Sequence, residues 1–336
     1  MRGDTERDAQ AAGRHRGLTA PRIIPVSAVI PTKDRALVLQ RTLNSLAAQG
    51  MLPAELIIVD GSDGNDSRIV VEARGDHVEP GRSKAIWLRA ETLGAAPQRN
   101  QGVAVSSQPF VWFLDDDILF EEECVLRLWT AIERDRGLGG VSAMITNQRY
   151  ASPGRVSRAI FAIMNGGYEP TFAGRIIGPA VNLLPEDRDG LPEVVPAEWL
   201  NTTCTIYRRE ALPRPPFDAV FTGYSMMEDV SLSVRVGRDW RLANARTARI
   251  FHDSQPGTHK ADPRLLAEME LVNRHYVMTR VLHRRGWANE LRLVVWELFQ
   301  LASCMASATG RRQLPDHIRG KMRAIRKMRT AKSQCR

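Results

Sequence analysis

Four short apolar runs separated by helix-patterned segments fill the first 135 residues and leave few folds open. "VSAVI" (26–30) reads as a strand stopped by Pro31. "RALVLQRTLNSLAAQ" (35–49) sets Leu39, Leu43 and Leu46 at helical spacing and ends at Gly50. A strand "ELIIVD" (55–60), a turn "GSDGND" and a helix over 66–74 follow. Then come a strand "KAIWLRA" (84–90), a helix over 95–106, a strand "FVWFL" (110–114) and a helix in "EEECVLRLWTAIERD". Strands alternating with helices, each strand nearly all apolar, predict an α/β fold with a mostly parallel sheet covered on both faces. From about 145 to 225 Pro and Gly become frequent, as in "PEDRDGLPEVVPAEW" and "LPRPPFD", which predicts loop-rich substrate-binding structure with a few short strands. "EDVSLSVRVG" (228–237) reads as a helix and "ARIFHD" (248–253) as a strand, and from about 262 the chain reads as helices.

Ligands in such sheets bind beyond the carboxyl ends of the strands. Three predicted strands end in charged turns: Lys33-Asp34, Asp60, and the triplet Asp115, Asp116 and Asp117. All should face one crevice. The triplet follows a buried strand, where unpaired carboxylates repel one another and resist leaving water. One acid there, Asp117 or one of the glutamates 121–123, would be an ordinary helix cap. Three are excessive for a cap, and a hard divalent cation, Mg²⁺ or Mn²⁺, would relieve the repulsion.

The metal does not name the reaction, but the order of the blocks narrows it. The chain lacks G-x-x-x-x-G-K-[ST], and lacks G-x-G-x-x-G after its first strand, which argues against P-loop NTPases and dinucleotide enzymes. It has "VIPTKDR", "IIVDGSDG", "AAPQRNQGV", "FLDDD" and "FDAVFTGYSMMEDVSLSVRV", in that order. Over residues 26 to 255 this series resembles the inverting family-2 glycosyltransferases with the GT-A fold. The resemblance implies a base and nucleotide site at Pro31, Thr32, Lys33, Asp34 and Asp60, with Arg99 and Asn100 beside the base and sugar-phosphate. It implies Asp115 or Asp116 toward ribose and Asp117 toward the metal, with Asp115 and His252 as further metal-site residues. It implies Asp229 as catalytic base beside Glu228, and an acceptor contact at Trp199. Where many members have a glycine shortly after that aromatic, this chain reads "LNTTC". His259 competes with His252 for the histidine role, and an ordinary core tryptophan is the alternative for Trp199.

The chemistry agrees with the resemblance. Inverting transfer needs a donor held by its diphosphate, so that charge on the leaving group is stabilised. It also needs a carboxylate on the opposite side to take the acceptor proton. The implied donor is a nucleoside-diphosphate sugar, UDP- or dTDP-linked, and the implied acceptor a glycan or lipid-linked sugar. "MEDVSLSVR" is also a plausible plain helix start, with acids in its first turn. A sugar-1-phosphate nucleotidyltransferase shares the broad fold, but would want a glycine-rich first loop where this chain has "IPTKDRA". A non-catalytic scaffold would have no need of both acidic blocks.

Charge and cysteine usage bound the surroundings. The net charge of +9 lies in residues 311–336, which hold ten Lys or Arg against one Asp. The other 310 residues balance, so the basic character belongs to the tail. A solvated, partly disordered segment, an anionic membrane surface and nucleic acid are the three readings of that tail. The apolar "LVVWELFQLASCMASA" (293–308), shorter than the roughly 20 residues of a membrane span, favours an interfacial helix before a polybasic segment. A core helix is the alternative. Cys124, Cys204, Cys304 and Cys335 lack metal or redox spacing, and no secretory signal opens the chain. These features predict a cytoplasmic protein, peripheral on the inner face of the cell membrane. The predicted organisation is a flexible leader (1–22), a GT-A domain (23–260; donor half to about 145, acceptor half from 146), a helical extension (261–310) and a basic tail (311–336).

Overall fold

A computed structural model describes residues 21–74, 83–254 and 262–334. In chain order the elements are β1 (Arg22–Thr32), α1 (Ala36–Ala47), β2 (Met51–Asp60), α2 (Asp66–Glu72), β3 (Lys84–Arg89), α3 (Ala95–Val105), β4 (Phe110–Leu114), β5 (Ile118–Phe120), α4 (Cys124–Arg134) and β6 (Leu138–Ile145). Then come α5 (Arg155–Asn165), β7 (Ile176–Ile177), β8 (Val181–Asn182), β9 (Val194–Pro196), β10 (Cys204–Arg208), α6 (Glu228–Val236), β11 (Arg241–His252), α7 (Pro263–Tyr276), α8 (Trp287–Cys304) and α9 (Ala308–Gln334).

The main sheet runs β3-β2-β1-β4-β10-β6-β11-β5, with β9 paired to β11. β3, β2, β1 and β4 are mutually parallel, and so are β6 and β11. Thr32 therefore lies level with Asp60, and the carboxyl ends of β1, β2 and β4 share one edge. The strands are apolar on both faces because both are covered. Ala28 and Ile30 pack with Leu39 and Leu43 of α1 and Leu128 and Ile132 of α4. Val29 and Phe113 pack on the other side with Ala96 of α3 and Val230 and Leu232 of α6.

The structure alters four expectations. The strand predicted at 26–30 begins at Arg22, so the predicted leader ends inside it; residues 1–20 lie outside the described residues. β5, unforeseen in the sequence, separates Asp117 from α4, so Asp117 cannot cap that helix; Glu123 holds the position before α4 and makes no side-chain cap. The donor and acceptor halves interleave. β10, from the second half, inserts antiparallel between β4 and β6 and allows no division near residue 145. Finally, the basic tail is not a separate disordered segment, because residues 308–334 form one helix packed on α7 and α8. Of the apolar helix before it, Trp296 is buried with Phe161 and Phe172 rather than facing outward.

Candidate active site

The acidic triplet is fixed from three sides. Thr42 of α1 donates to the Asp116 carbonyl at 2.7 Å and accepts from the Ile118 amide at 3.1 Å. The Asp115 amide donates to the Thr203 carbonyl, and the Asp253 amide to that of Asp117. Asp116 points inward, accepting from the Thr32 hydroxyl at 2.6 Å and from Arg35 at 2.8 Å. Arg35 also reaches Asp117 at 2.6 Å. Arg35 was not among the expected residues, although an arginine at the foot of the first-strand loop is the nearest sequence source of countercharge.

Electrostatics separate the three acids. Burial raises Asp116 to about 7, against the pull of Arg35 and the Thr32 hydroxyl. Burial would raise Asp117 too, but hydrogen bonds and charge from His252 and Arg35 outweigh it and hold Asp117 near 2. Asp117 is therefore ionised at neutral pH.

His252, at the end of β11, lies 3.0 Å from Asp117 through Nε2, while its Nδ1 lies 3.0 Å from the Gln148 amide nitrogen. In that arrangement Nδ1 accepts and Nε2 donates. An amide can present either end. Turning Gln148 to accept from Nδ1–H would free the Nε2 lone pair for a metal. One ligand atom each from Asp115, Asp117 and His252 lies within 4.8 Å of the others. Two carboxylates and an imidazole, one carboxylate ionised throughout the neutral range, fit a divalent cation such as Mg²⁺ or Mn²⁺.

Arg99 of α3, 3% exposed, bridges two blocks far apart in sequence. It donates to Asp115 at 2.6 Å and to Glu228 at 3.1 Å. Glu228 and Asp229 open α6 after Met227, whose φ is +74°. Burial pushes Glu228 up to about 8, aided by its charged neighbour Asp229 and opposed by Arg99. Burial raises Asp229 to about 6, opposed by the Val230 amide, which donates to it at 2.7 Å, and by Arg99.

These groups line one cavity of about 640 Å³, together with Pro31, Thr32, Lys33, Trp199, Glu270 and Arg274. Gly94 and Gly223 close its rim by backbone contact; a Cβ on Gly94 would sit 2.8 Å from the Gly223 nitrogen, so neither loop could approach with a side chain there. Trp199 forms part of the wall, with its indole N–H satisfied by the Leu183 carbonyl at 2.8 Å.

Three expected residues do not reach this cavity. Asp60 is fully buried beneath it, accepting from the Ser62 amide and hydroxyl and from the Trp87 indole. It shapes the β2 turn, and its carboxylate is already used. Asn100 spends both ends of its amide on the Phe217 backbone. Asp34 is exposed, at φ +55°, with its amide donating to Ser62. His259 lies outside the described residues. A second cavity, about 590 Å³ between β9, β11 and the end of α6, has Asp135 and Glu198 in its wall, both paired with arginines, and none of the acidic blocks.

The mostly parallel sheet, with a crevice at its carboxyl edge that gathers the two carboxylate blocks, has the GT-A fold. Residues 27–175 match the family model for glycosyl transferase family 2. Over 98 residues it is 36% identical to validoxylamine A glucosyltransferase of Streptomyces hygroscopicus subsp. limoneus, covering 28% of this chain and 20% of that relative. The counterpart from subsp. jinggangensis (strain 5008) is 35% identical over the same length. The chain spans about a fifth of the length of the curated relatives it matches. Its fold is similar to that of the mannosyltransferase PcManGT from Pyrobaculum calidifontis, solved with GDP-Man and Mn²⁺ (TM-score 0.52, 13% identity, 90% of this chain and 87% of that one). It is similar also to GalNAc-T7 solved with UDP, GalNAc and Mn²⁺ (TM-score 0.51, 16% identity, 75% of this chain and 47% of that one).

Proposed function

We propose that the protein is a metal-dependent, inverting glycosyltransferase that moves a sugar from a nucleoside-diphosphate donor, UDP- or dTDP-linked, to a hydroxyl of a glycan or lipid-linked acceptor. One observation carries the reading: a single cavity holds a cation-competent set, Asp115, Asp117 and His252, and a separate carboxylate, Asp229, whose proton affinity suits a base near neutrality. A bound Mg²⁺ or Mn²⁺ would supply positive charge to the donor diphosphate. Lys33, exposed at the rim, adds a mobile cation for the same phosphates. Asp229 takes the proton from the acceptor hydroxyl as it attacks. Glu228, held by Arg99, orients Asp229 by fixing the start of α6. Trp199 offers an apolar wall to the acceptor. The two structural neighbours, each solved with Mn²⁺ and a nucleotide or nucleotide sugar, support the donor class.

The place of work belongs to the same reading: the inner face of a cell membrane, with the basic C-terminal segment toward anionic lipid. Among the described residues no helix is long and apolar enough to cross a membrane.

A thermal-shift series with UDP, dTDP, GDP and their sugars, each with and without Mn²⁺, tests the donor site. A melting temperature raised by a nucleoside diphosphate only when Mn²⁺ is present is the expected result. No shift with any of them would overturn the proposal.

A further inference from the structure

Two C-terminal helices turn unpartnered apolar stripes outward. Trp287, Leu291, Val294 and Leu298 of α8, with Met305 just past its end, recur at spacings of four, three, four and seven, which is one helical face; Trp287 is 80% and Leu298 60% exposed. On α9, Ile318, Met322 and Ile325 are exposed at the same spacing. The opposite faces are buried together: Leu293 of α8 and Ala324 of α9 pack with Leu271 of α7 and with Met278. Both stripes lie on the sides of their helices away from that shared core and are exposed.

The charges around the stripes have one sign. Exposed Arg311, Arg312, Arg319, Arg323, Arg326, Lys327 and Arg329 all sit on α9. The acids of the layer are otherwise engaged. Glu297 and Glu270 pair with Lys321 and Arg274, Asp316 with Arg319, Glu290 with His275 and Glu268 with Lys327. A second copy of the chain would bring two such basic faces together and repel itself. A surface combining apolar depth with negative headgroups satisfies both features. Leu and Trp enter the acyl boundary, while arginines flanking Ile318 and Met322 extend to phosphates.

We propose that α8 and α9 form an in-plane docking face for an anionic lipid bilayer, lying on the membrane rather than crossing it. The inference rests on the reading of a membrane-resident, lipid-linked acceptor and names the surface that meets it. The docking helices also touch the site. Gln300 of α8 donates to Glu270, and Lys321 of α9 lies 4.0 Å from it, and Glu270 lines the catalytic cavity. Enzyme held by this face would therefore meet an acceptor confined to the same bilayer.

Flotation of the full chain with vesicles tests the face. Phosphatidylcholine vesicles are compared with vesicles of equal parts phosphatidylcholine and phosphatidylglycerol, at low and high salt. The parent should float with the anionic vesicles at low salt only. Leu291→Glu with Leu298→Glu should abolish flotation, and each of Arg323→Glu and Arg326→Glu should weaken it about fivefold or more. All four positions are exposed, and unchanged circular dichroism checks the fold. Failure of the parent to float, or flotation of the α8 double variant equal to the parent's, overturns the proposal. So does a parent dimer, in sedimentation without vesicles, that the α8 double variant dissolves, since the occupant would then be a second copy. The Mn²⁺-dependent shift with UDP is measured on the same samples. Flotation without that shift leaves the docking face standing and the donor reading fallen; the shift without flotation does the reverse.

Discussion

Arg99 joins Asp115 to Glu228: one guanidinium, almost wholly buried, holds the acid triplet to the first turn of α6, which lies far along the sequence. This tie sets the distance between the metal-competent acids and Asp229. Its removal leaves two carboxylates without their cation in a dry place. Arg99→Met should therefore cost about 3–5 kcal/mol of folding stability, in the range for breaking a buried pair. Arg99→Lys keeps the charge but loses the two-pronged reach, so it should recover part of the stability and little of the activity. Urea unfolding alongside transfer assays checks both; an Arg99→Lys enzyme as active as the parent would show that the bridge does not position the site.

Under the proposed function the pH dependence follows from Asp229 as base. Its carboxyl is raised to about 6, and a general base works only when ionised. Activity should therefore climb as pH rises through about 6 and level off above it. Asp229→Asn should remove this limb and lower turnover by about 10²–10⁴-fold, the usual contribution of a positioned base. Nucleotide binding in that variant should stay near the parent's. A limb that persists in Asp229→Asn would assign the base to another group.

The histidine end of the site makes a claim about Gln148. His252 offers Nε2 to a cation as its Nδ1–H tautomer, which an acceptor at Nδ1 favours, and the Gln148 amide, 3.0 Å away, can turn its oxygen to be that acceptor. Gln148→Leu removes it without touching Asp115 or Asp117. Mn²⁺ affinity, read by titration calorimetry in the presence of UDP, should fall about 10–100-fold, as for other losses of a ligand's hydrogen-bond partner. His252→Ala should do the same or more. Unchanged Mn²⁺ affinity in both variants would remove His252 from the metal site.

The sheet's first half was legible because its strands are unbroken apolar runs with punctuating turns. β6 was not, since "LGGVSAMI" carries two glycines that look like breakers. In the fold Gly140 is needed: a Cβ there would lie 2.6 Å from the Tyr207 ring on the neighbouring strand. β10 hid in a Thr-rich stretch whose neighbours in space, β4 and β6, are far away in sequence. At the site, the family resemblance grouped Asp115, Asp117, Asp229 and His252, and the four line one cavity. The resemblance could not say which way a side chain points. Asp60 and Asn100 turn to the Ser62 turn and the Phe217 backbone, choices made by local hydrogen bonds rather than by motif. Arg35 and Gln148 went unread because their roles exist only through partners brought in by the fold.

The C-terminal helices make the last prediction. Lys321 of α9 is buried against Glu297 of α8, Arg274 of α7 bonds Glu270 and the Ala180 carbonyl, and Glu270 and Arg274 both line the cavity. Four charges, two of each sign, thus connect α9 to the wall of the cavity. Lys321→Met leaves Glu297 with only Arg274, 3.8 Å away, and should destabilise by less than the roughly 3–5 kcal/mol of a wholly broken buried pair. Lys321→Met with Glu297→Leu removes both charges of that pair and should recover most of the loss, since well-packed apolar groups often replace a buried ion pair without cost. The pair is more than structural if the wall depends on it. In the double variant, KM for the acceptor should then rise several-fold while the Mn²⁺-dependent shift with UDP stays as in the parent. Recovery of stability together with an unchanged acceptor KM would confine the network to holding the helices together and separate it from the site.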